Sequence, residues 1–269
     1  MRLLVVLMSL MACTARAGGD EFHVGGAPAG MAHAYVSRSG VWSIHHNPAG
    51  LGFAEQMEAG VYYESRFLLN ALSLQSAAFA LPTEKYGGFG VSYEGFGGPN
   101  YRESRFTLAY GLKIGKNLSA GIGMGYRMIQ VPGEYRNPGL VMAQAGVQYR
   151  VNEKLTLAAH AYNLTRSQVS EVENERSPLV LRIGGHYAFS EQFILAAEVE
   201  KDIDHTPVAR IGAEYRPVPA FYIRAGASTG PILSSFGLGF TFSGFNLNLS
   251  TTFHSQLGVT PQAGMTYQF

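Results

Sequence analysis

Eight histidines, many serines and 19 Asp and Glu side chains supply the residue types from which metal sites and hydrolytic triads are built. His45 and His46 are adjacent and offer a metal two imidazoles, but no second ligand cluster follows at a supporting spacing. A nucleophile needs its base and an orienting acid within hydrogen-bond reach. His160, His186 and His254 are far apart in the chain, and alternation alone places no nucleophile beside them. No glycine-rich loop precedes a helix, so the 33 glycines do not form a phosphate cradle. No catalytic residue, metal or cofactor is assigned, and a non-enzymatic protein is expected. The single cysteine, Cys13, excludes an internal disulfide framework. A net charge of +1 gives no electrostatic reason to expect a nucleic-acid partner.

The ionic side chains have a different pattern, which points to the elements that hold them. From residue 56 onward large apolar residues alternate with small or polar ones. Phe106, Leu108, Tyr110, Leu112 and Ile114 share one face of a segment whose other face carries Arg105, Thr107, Ala109, Gly111 and Lys113. The next segment repeats this, with Leu118, Ile122, Met124 and Tyr126 opposite Ser119, Gly121, Gly123, Gly125 and Arg127. Strands are expected near 56–66, 73–82, 86–96, 101–114, 117–130, 139–151, 154–164, 177–189, 192–203, 206–217, 220–228, 232–243, 245–256 and 260–269.

Only 14% of the residues are charged, against about a quarter in a typical soluble domain, so the chain lacks material for a solvated exterior. Fourteen strands, most of them long enough to cross hydrocarbon at a tilt, predict an all-β fold, a fourteen-stranded antiparallel transmembrane β-barrel. Hydrocarbon offers no partner to a backbone N–H or C=O group, so such a sheet must close. Apolar faces then meet outer-membrane lipid, while Glu94, Arg105, Lys113, Arg127, Arg150, Arg182, Glu198, Glu200, Arg210, Glu214 and Arg224 point into the lumen as a polar network. Tyr63, Tyr93, Tyr110, Tyr149, Tyr187, Tyr215 and Tyr267 are candidates for interfacial girdles. Connections after even-numbered strands are tight, whereas 131–138 and 165–176 are long. Outer-membrane barrels put short turns in the periplasm, so both chain ends are expected there.

Met1 and Arg2 precede an apolar run, Leu3 to Ala12, and Ala15-Arg16-Ala17 has the small-x-small form of a cleavage site. Residues 1–17 therefore read as a signal peptide, with acylation of Cys13 after Leu10-Met11-Ala12 as an alternative. Residues 56–269 form the barrel. Residues 18–55 lack a long alternating run and read as a compact N-terminal plug or hatch.

This N-terminal segment contains Gly25-Gly26, the run Ala29-Gly30-Met31-Ala32-His33-Ala34, and Trp42 to Gly52, whose most specific part is Asn47-Pro48-Ala49-Gly50-Leu51. On those residues the chain resembles the PorV/PorQ branch of the FadL-like fourteen-stranded barrels. The C-terminal Met265-Thr266-Tyr267-Gln268-Phe269 also resembles the assembly signal of bacterial outer-membrane barrels. The resemblance implies that Asn47, Pro48, Ala49, Gly50 and Leu51 belong to a plug and gate motif. It further implies an accessory or cargo-handling scaffold in type IX-like protein secretion, with secretion-system or secreted proteins as partners. The alternative, from the wider FadL-like group, is passive passage of a hydrophobic small molecule. Two departures bear on this: relatives often carry Asp where this chain has Ser39-Gly40, and many have longer outward loops. As local chemistry, Asn47-Pro48-Ala49-Gly50 also has the composition of an ordinary turn.

Overall fold

The computed structural model describes residues 22–133, 139–170 and 175–269. The leader with Cys13, and part of each long connection, lie outside the described residues. Fourteen antiparallel strands close into one barrel. They are β1 (Glu58–Ser65), β2 (Ser73–Thr83), β3 (Gly87–Gly98), β4 (Tyr101–Ile114), β5 (Leu118–Gln130), β6 (Gly139–Arg150) and β7 (Leu155–Tyr162). A small hairpin, β8 (Gln168–Ser170) and β9 (Glu175–Arg176), then intervenes. The wall continues with β10 (Val180–Ala188), β11 (Phe193–Asp202), β12 (Val208–Val218), β13 (Phe221–Ser228), β14 (Leu233–Phe242), β15 (Phe245–His254) and β16 (Gly258–Gln268). β7 pairs with β10 across the hairpin, and β1 pairs with β16 from Glu58↔Gln268 to Glu64↔Gln262, which removes the last open edge. Each expected strand is present within a few residues of its expected ends.

Side-chain direction follows the period of two. Arg182 is 1% exposed, while its neighbours Leu181 and Ile183 are 42% and 68% exposed, so the cation faces in and the aliphatics face out. Arg127 between Tyr126 and Met128, and Glu198 between Ala197 and Val199, are likewise turned inward. The outer surface is a continuous apolar band, the architecture of a bacterial outer-membrane barrel. Ring pairs gather toward the tight-turn end, at Phe89–Tyr110 (5.1 Å), Tyr187–Phe189 (4.8 Å), Phe221–Phe240 (5.0 Å) and Phe245–Tyr267 (4.6 Å). Amphipathic rings suit that depth, where apolar lipid gives way to head groups.

The hydrophobic core lies inside the barrel, and the N-terminal segment supplies most of it. Phe22, Val24, Met31, Tyr35, Trp42, Ile44 and Leu51 pack with the wall residues Tyr62, Leu74, Ala78, Ala80, Ala109 and Ala196. The segment holds two short helices, α1 (Gly26–Gly30) and α2 (Ser43–His46), and a 3-10 turn over Pro48–Phe53 that leads to β1. A wall of small inward residues leaves room for these bulky ones, which reverses the usual division between core strands and surface loops.

Candidate functional site

The motif residues Asn47 to Leu51 rest on a row of glycines. Gly88, Gly111, Gly121 and Gly146 sit on four adjacent strands at one depth, paired in register as Gly88↔Gly111, Gly111↔Gly121 and Gly121↔Gly146. A Cβ at these positions would overlap, in turn, the Leu51 carbonyl, the Pro48 carbonyl, the Pro48–Ala49 peptide and the Asn47 side chain. Glycine here marks close approach of one backbone to another. Fully buried Asn47 fixes the turn: its Oδ1 accepts from Ala49 N (3.0 Å), and its Nδ2 donates to Val36 O (3.0 Å) and Val147 O (3.2 Å). Ser119 Oγ donates to Ala49 O (2.7 Å), and Gln144 Nε2 donates to Ile44 O (3.1 Å). Across the lumen, Gly212 and Gly226 pair in register and lie against Met31, while Gly237 and Gly264 lie against Gly30 and Gly26 of α1. The segment is thus seated on both sides of the wall.

Ionic side chains between the segment and the wall form three groups. In the first, Glu103 accepts from Arg127 Nη2 (2.7 Å) and Arg105 Nη2 (3.3 Å), and the Arg105 guanidinium stands 4.7 Å from the centre of the Phe22 ring. The second joins β10, β11 and β12. Arg182 Nε donates to Glu200 Oε2 (2.8 Å), Arg210 Nη2 donates to Glu200 Oε1 (2.8 Å), and Glu198 Oε2 accepts from the backbone N–H groups of Tyr35 (3.1 Å) and Val36 (2.9 Å). In the third, Glu214 lies between Arg38 (3.0 Å) and Arg224 (2.6 Å), and Arg224 also donates to Asn248 Oδ1 (2.6 Å). Glu94, opposite Arg105 in the β3–β4 register, stands 3.4 Å from His45 Nδ1. Removing one member of such a buried group leaves an uncompensated ion at a cost of about 3–5 kcal/mol.

The structure therefore brings Arg105 and Arg127 together, gathers Arg182, Glu198 and Arg210, and joins Glu214 to Arg224. Arg150 takes no part: it is half-buried near the tight turns, 3.9 Å from the centre of the Phe53 ring, which Lys113 also approaches. Glu103 escapes a reading of the sequence although it shares the parity of Arg105, because it stands close to a connection. The glycine row escapes it too, since its members are far apart in sequence and meet only through strand register.

Three imidazoles of the segment form a cluster. His23, His33 and His46 have ring centres 5.1, 5.9 and 6.2 Å apart. Burial lowers His23 from 6.5 to about 4, although Glu200 opposes the shift, and burial together with neighbouring cations holds His46 well below 6.5. Among the described residues no group of His, Cys, Asp or Glu is placed to hold a metal ion.

A cavity of about 530 Å³ opens at the end of the barrel opposite the tight turns. His23, Ala32 and His33 of the segment line it together with Phe67, Arg210 and Leu233 of the wall and its connections. At the tight-turn end two recesses, of about 680 and 350 Å³, are lined in part by residues 37–39 and 51–54 of the same segment. One short segment thus contributes to the cavities at both ends of the lumen.

No family model and no curated protein matches the chain. Solved structures do match. The Ralstonia pickettii toluene transporter TbuX is similar with a TM-score of 0.69 and 12% identity, over 91% of this chain and 97% of that one. The Pseudomonas putida toluene transporter TodX gives 0.68 and 13%, over 91% and 97%. A Pseudomonas aeruginosa FadL homologue gives 0.66 and 13%, over 94% and 98%. These likenesses correct the expected place in the PorV/PorQ branch and, with it, the type IX secretion scaffold and its protein partners. The Asn47-to-Leu51 run is a seat for a backbone against glycine, and that geometry does not single out a secretion barrel. At such identities the likeness is one of fold alone: the closed antiparallel barrel of this chain is similar to those three barrels.

Proposed function

We propose that this protein is a non-enzymatic outer-membrane transport barrel that passes a hydrophobic small molecule, with residues 22–55 as the movable barrier and the C-terminus in the periplasm. The observation that carries the reading is the cavity at the end away from the tight turns, floored by the segment itself at His23, Ala32 and His33. A ligand resting there touches the element that stands between it and the far side. The similar barrels from R. pickettii and P. putida are toluene transporters, which supports an apolar cargo. The tight turns on the side where β16 ends support a periplasmic C-terminus, whereas Phe22 and His23 reach toward the outward cavity.

The segment has the properties of a barrier that moves without unfolding the wall. Its backbone meets glycine, which offers no side chain to interlock, and it is tied to the wall by side-chain hydrogen bonds and ion pairs, among them those at Asn47, Glu198, Ser119, Gln144, Arg38 and Ser37, rather than by strand pairing. The test is early-time uptake of radiolabelled toluene by cells that express the barrel, compared with cells carrying an empty vector. Faster uptake with equal lipopolysaccharide and equal barrel assembly supports transport; identical rates reject it.

A further inference from the structure

A recess of about 610 Å³ lies at the outward rim of the barrel, on the membrane face of the wall rather than in the lumen. The parity of four adjacent strands, β2 to β5, places its side chains there. On β4 the outward series runs Leu108, Phe106, Ser104 and then Arg102, and on β5 it runs Met124, Tyr126, Met128 and then Gln130. On β2 exposed Leu81 and Ala77 are followed by exposed Gln75. On each strand the apolar band stops and polar residues follow, which sets the recess at the depth where hydrocarbon gives way to head groups. Register joins these residues into one patch: Gln75 pairs with Gly95, Gly97 with Arg102, and Arg102 with Gln130.

Glycine opens the recess. Gly95 and Gly97 of β3 face outward between Gln75 and Arg102 and offer no side chain; Gly97 has a φ of 101°, and a Cβ there would strike the Tyr101 carbonyl. Toward the membrane centre the Tyr93 ring packs on Phe106 at 4.9 Å, with its hydroxyl 3.1 Å from where a Gly95 Cβ would stand, so the ring leans toward the rim. The rest of the lining comes from the end of β3, the β3–β4 turn and residues 131–132. Arg102 is exposed; among the described residues no Asp or Glu lines the recess and no ion pair engages this guanidinium. A cation on the lipid face of a barrel is tolerated near the interface, where it meets head-group phosphate. Gln75 and Gln130 add carboxamides, which both donate and accept hydrogen bonds.

We propose that this recess binds one phosphorylated glycolipid of the outer leaflet, with a phosphate on the Arg102 guanidinium, sugar hydroxyls on Gln75 and Gln130, and an acyl chain along the Tyr93–Phe106 pair. A guanidinium matches phosphate oxygens two at a time, which orients the head group as well as attracting it. A recess of about 610 Å³ has room for sugar rings, and a glycerophospholipid head group leaves much of it unfilled. The inference rests on the orientation that puts the tight turns in the periplasm, since phosphorylated glycolipid lies in the outer leaflet. It is independent of what the barrel transports.

Native mass spectrometry of the detergent-purified barrel, titrated with hexa-acyl diphosphoryl lipid A, tests it. Lipid A is expected to bind about tenfold more tightly than its phosphate-free counterpart or than dioleoyl phosphatidylglycerol. Arg102→Gln should lower the affinity for lipid A by about tenfold and erase the preference for phosphate, and Arg102→Lys should lose less. Lys116→Gln, at an exposed cation of the tight β4–β5 turn, should lose nothing. Equal affinity for lipid A with and without phosphate, phosphatidylglycerol bound as tightly as lipid A, displacement by equimolar inorganic phosphate, or an affinity untouched by Arg102→Gln overturns the inference. Orientation is read separately: Lys85→Cys, in the turn after β2, should react with a membrane-impermeant maleimide in lysed cells and not in intact ones. Reaction in intact cells overturns the orientation and the inference together. Reaction confined to lysed cells, with lipid selectivity absent, overturns the inference and leaves the orientation standing.

Discussion

Asn47 and Gly146 compete for one position: the Asn47 Oδ1 atom lies where a side chain at 146 would begin, on the inward face of β6. The same amide bridges the segment to the wall through Val36 O and Val147 O. The most specific run in the N-terminal sequence is thus matched by an absence of side chains on four strands.

Filling that row should lift the segment. Gly121→Val places methyl groups into the Pro48–Ala49 peptide, whereas Gly125→Ala meets its nearest neighbour at an ordinary 3.4 Å. Liposome swelling with arabinose is expected to quicken by about tenfold for Gly121→Val, the equivalent of about 1.4 kcal/mol on the seated state. Gly125→Ala should leave the rate unchanged.

Loss of the bridge should loosen the segment without disturbing the wall. Asn47→Ala removes one acceptor and the donor to two carbonyls, at a cost of about 1–3 kcal/mol. Hydrogen exchange is expected to speed up at Ala49 to Ala54 and to stay slow in β3 to β6. Equal acceleration of both would mean that the amide supports the whole barrel.

The ionic groups predict a non-additive pair. Arg182→Leu and Glu200→Leu each leave partners uncompensated and should each lower urea stability by about 3–5 kcal/mol. The double variant is expected to lose less than the sum, because Arg182 and Glu200 meet directly at 2.8 Å. Strict additivity would show that the contact carries no coupling.

Acid should release the segment. His23, faced by Glu200, Arg182 and Arg210, is lowered to about 4 chiefly by burial; His45, faced by Glu94 and Arg105, is lowered to about 3 by burial and then by Arg105. An unpacked segment takes up these protons near pH 6.5, and the packed one only near pH 4 and 3. Packing is therefore fully favourable above pH 6.5 and weakens as pH falls toward 4, by about 1.4 kcal/mol per pH unit for each histidine. Protease cleavage within residues 22–55 is expected to increase over that window, and His45→Gln should flatten the response.

The barrel was legible in the sequence because hydrocarbon forces a period of two on every strand, as at Leu181, Arg182 and Ile183. Strand ends were legible from turn residues. What period cannot give is depth: it says that Gly111 and Gly121 face inward, not that they stand side by side. Nor does it say which ions meet, so Arg127 was assigned to a network without Glu103, its direct partner. Arg150 faces inward yet meets a phenyl ring, because it lies near the tight turns where the segment contributes Phe53. The motif at Asn47 to Leu51 was visible as a turn, and its lineage was misread because the run is accounted for by local packing of a turn against glycine, which carries no mark of one branch.

The central claim is that cargo passes only when the segment moves. Ser37 on the segment and His186 on β10 meet through Ser37 Oγ and His186 Nδ1 at 2.9 Å, so cysteines at both places can be joined by a short reducible bis-methanethiosulfonate linker. Toluene uptake by cells bearing Ser37→Cys with His186→Cys should fall to the empty-vector rate once linked and return after reduction. Undiminished uptake through the linked barrel would contradict the account.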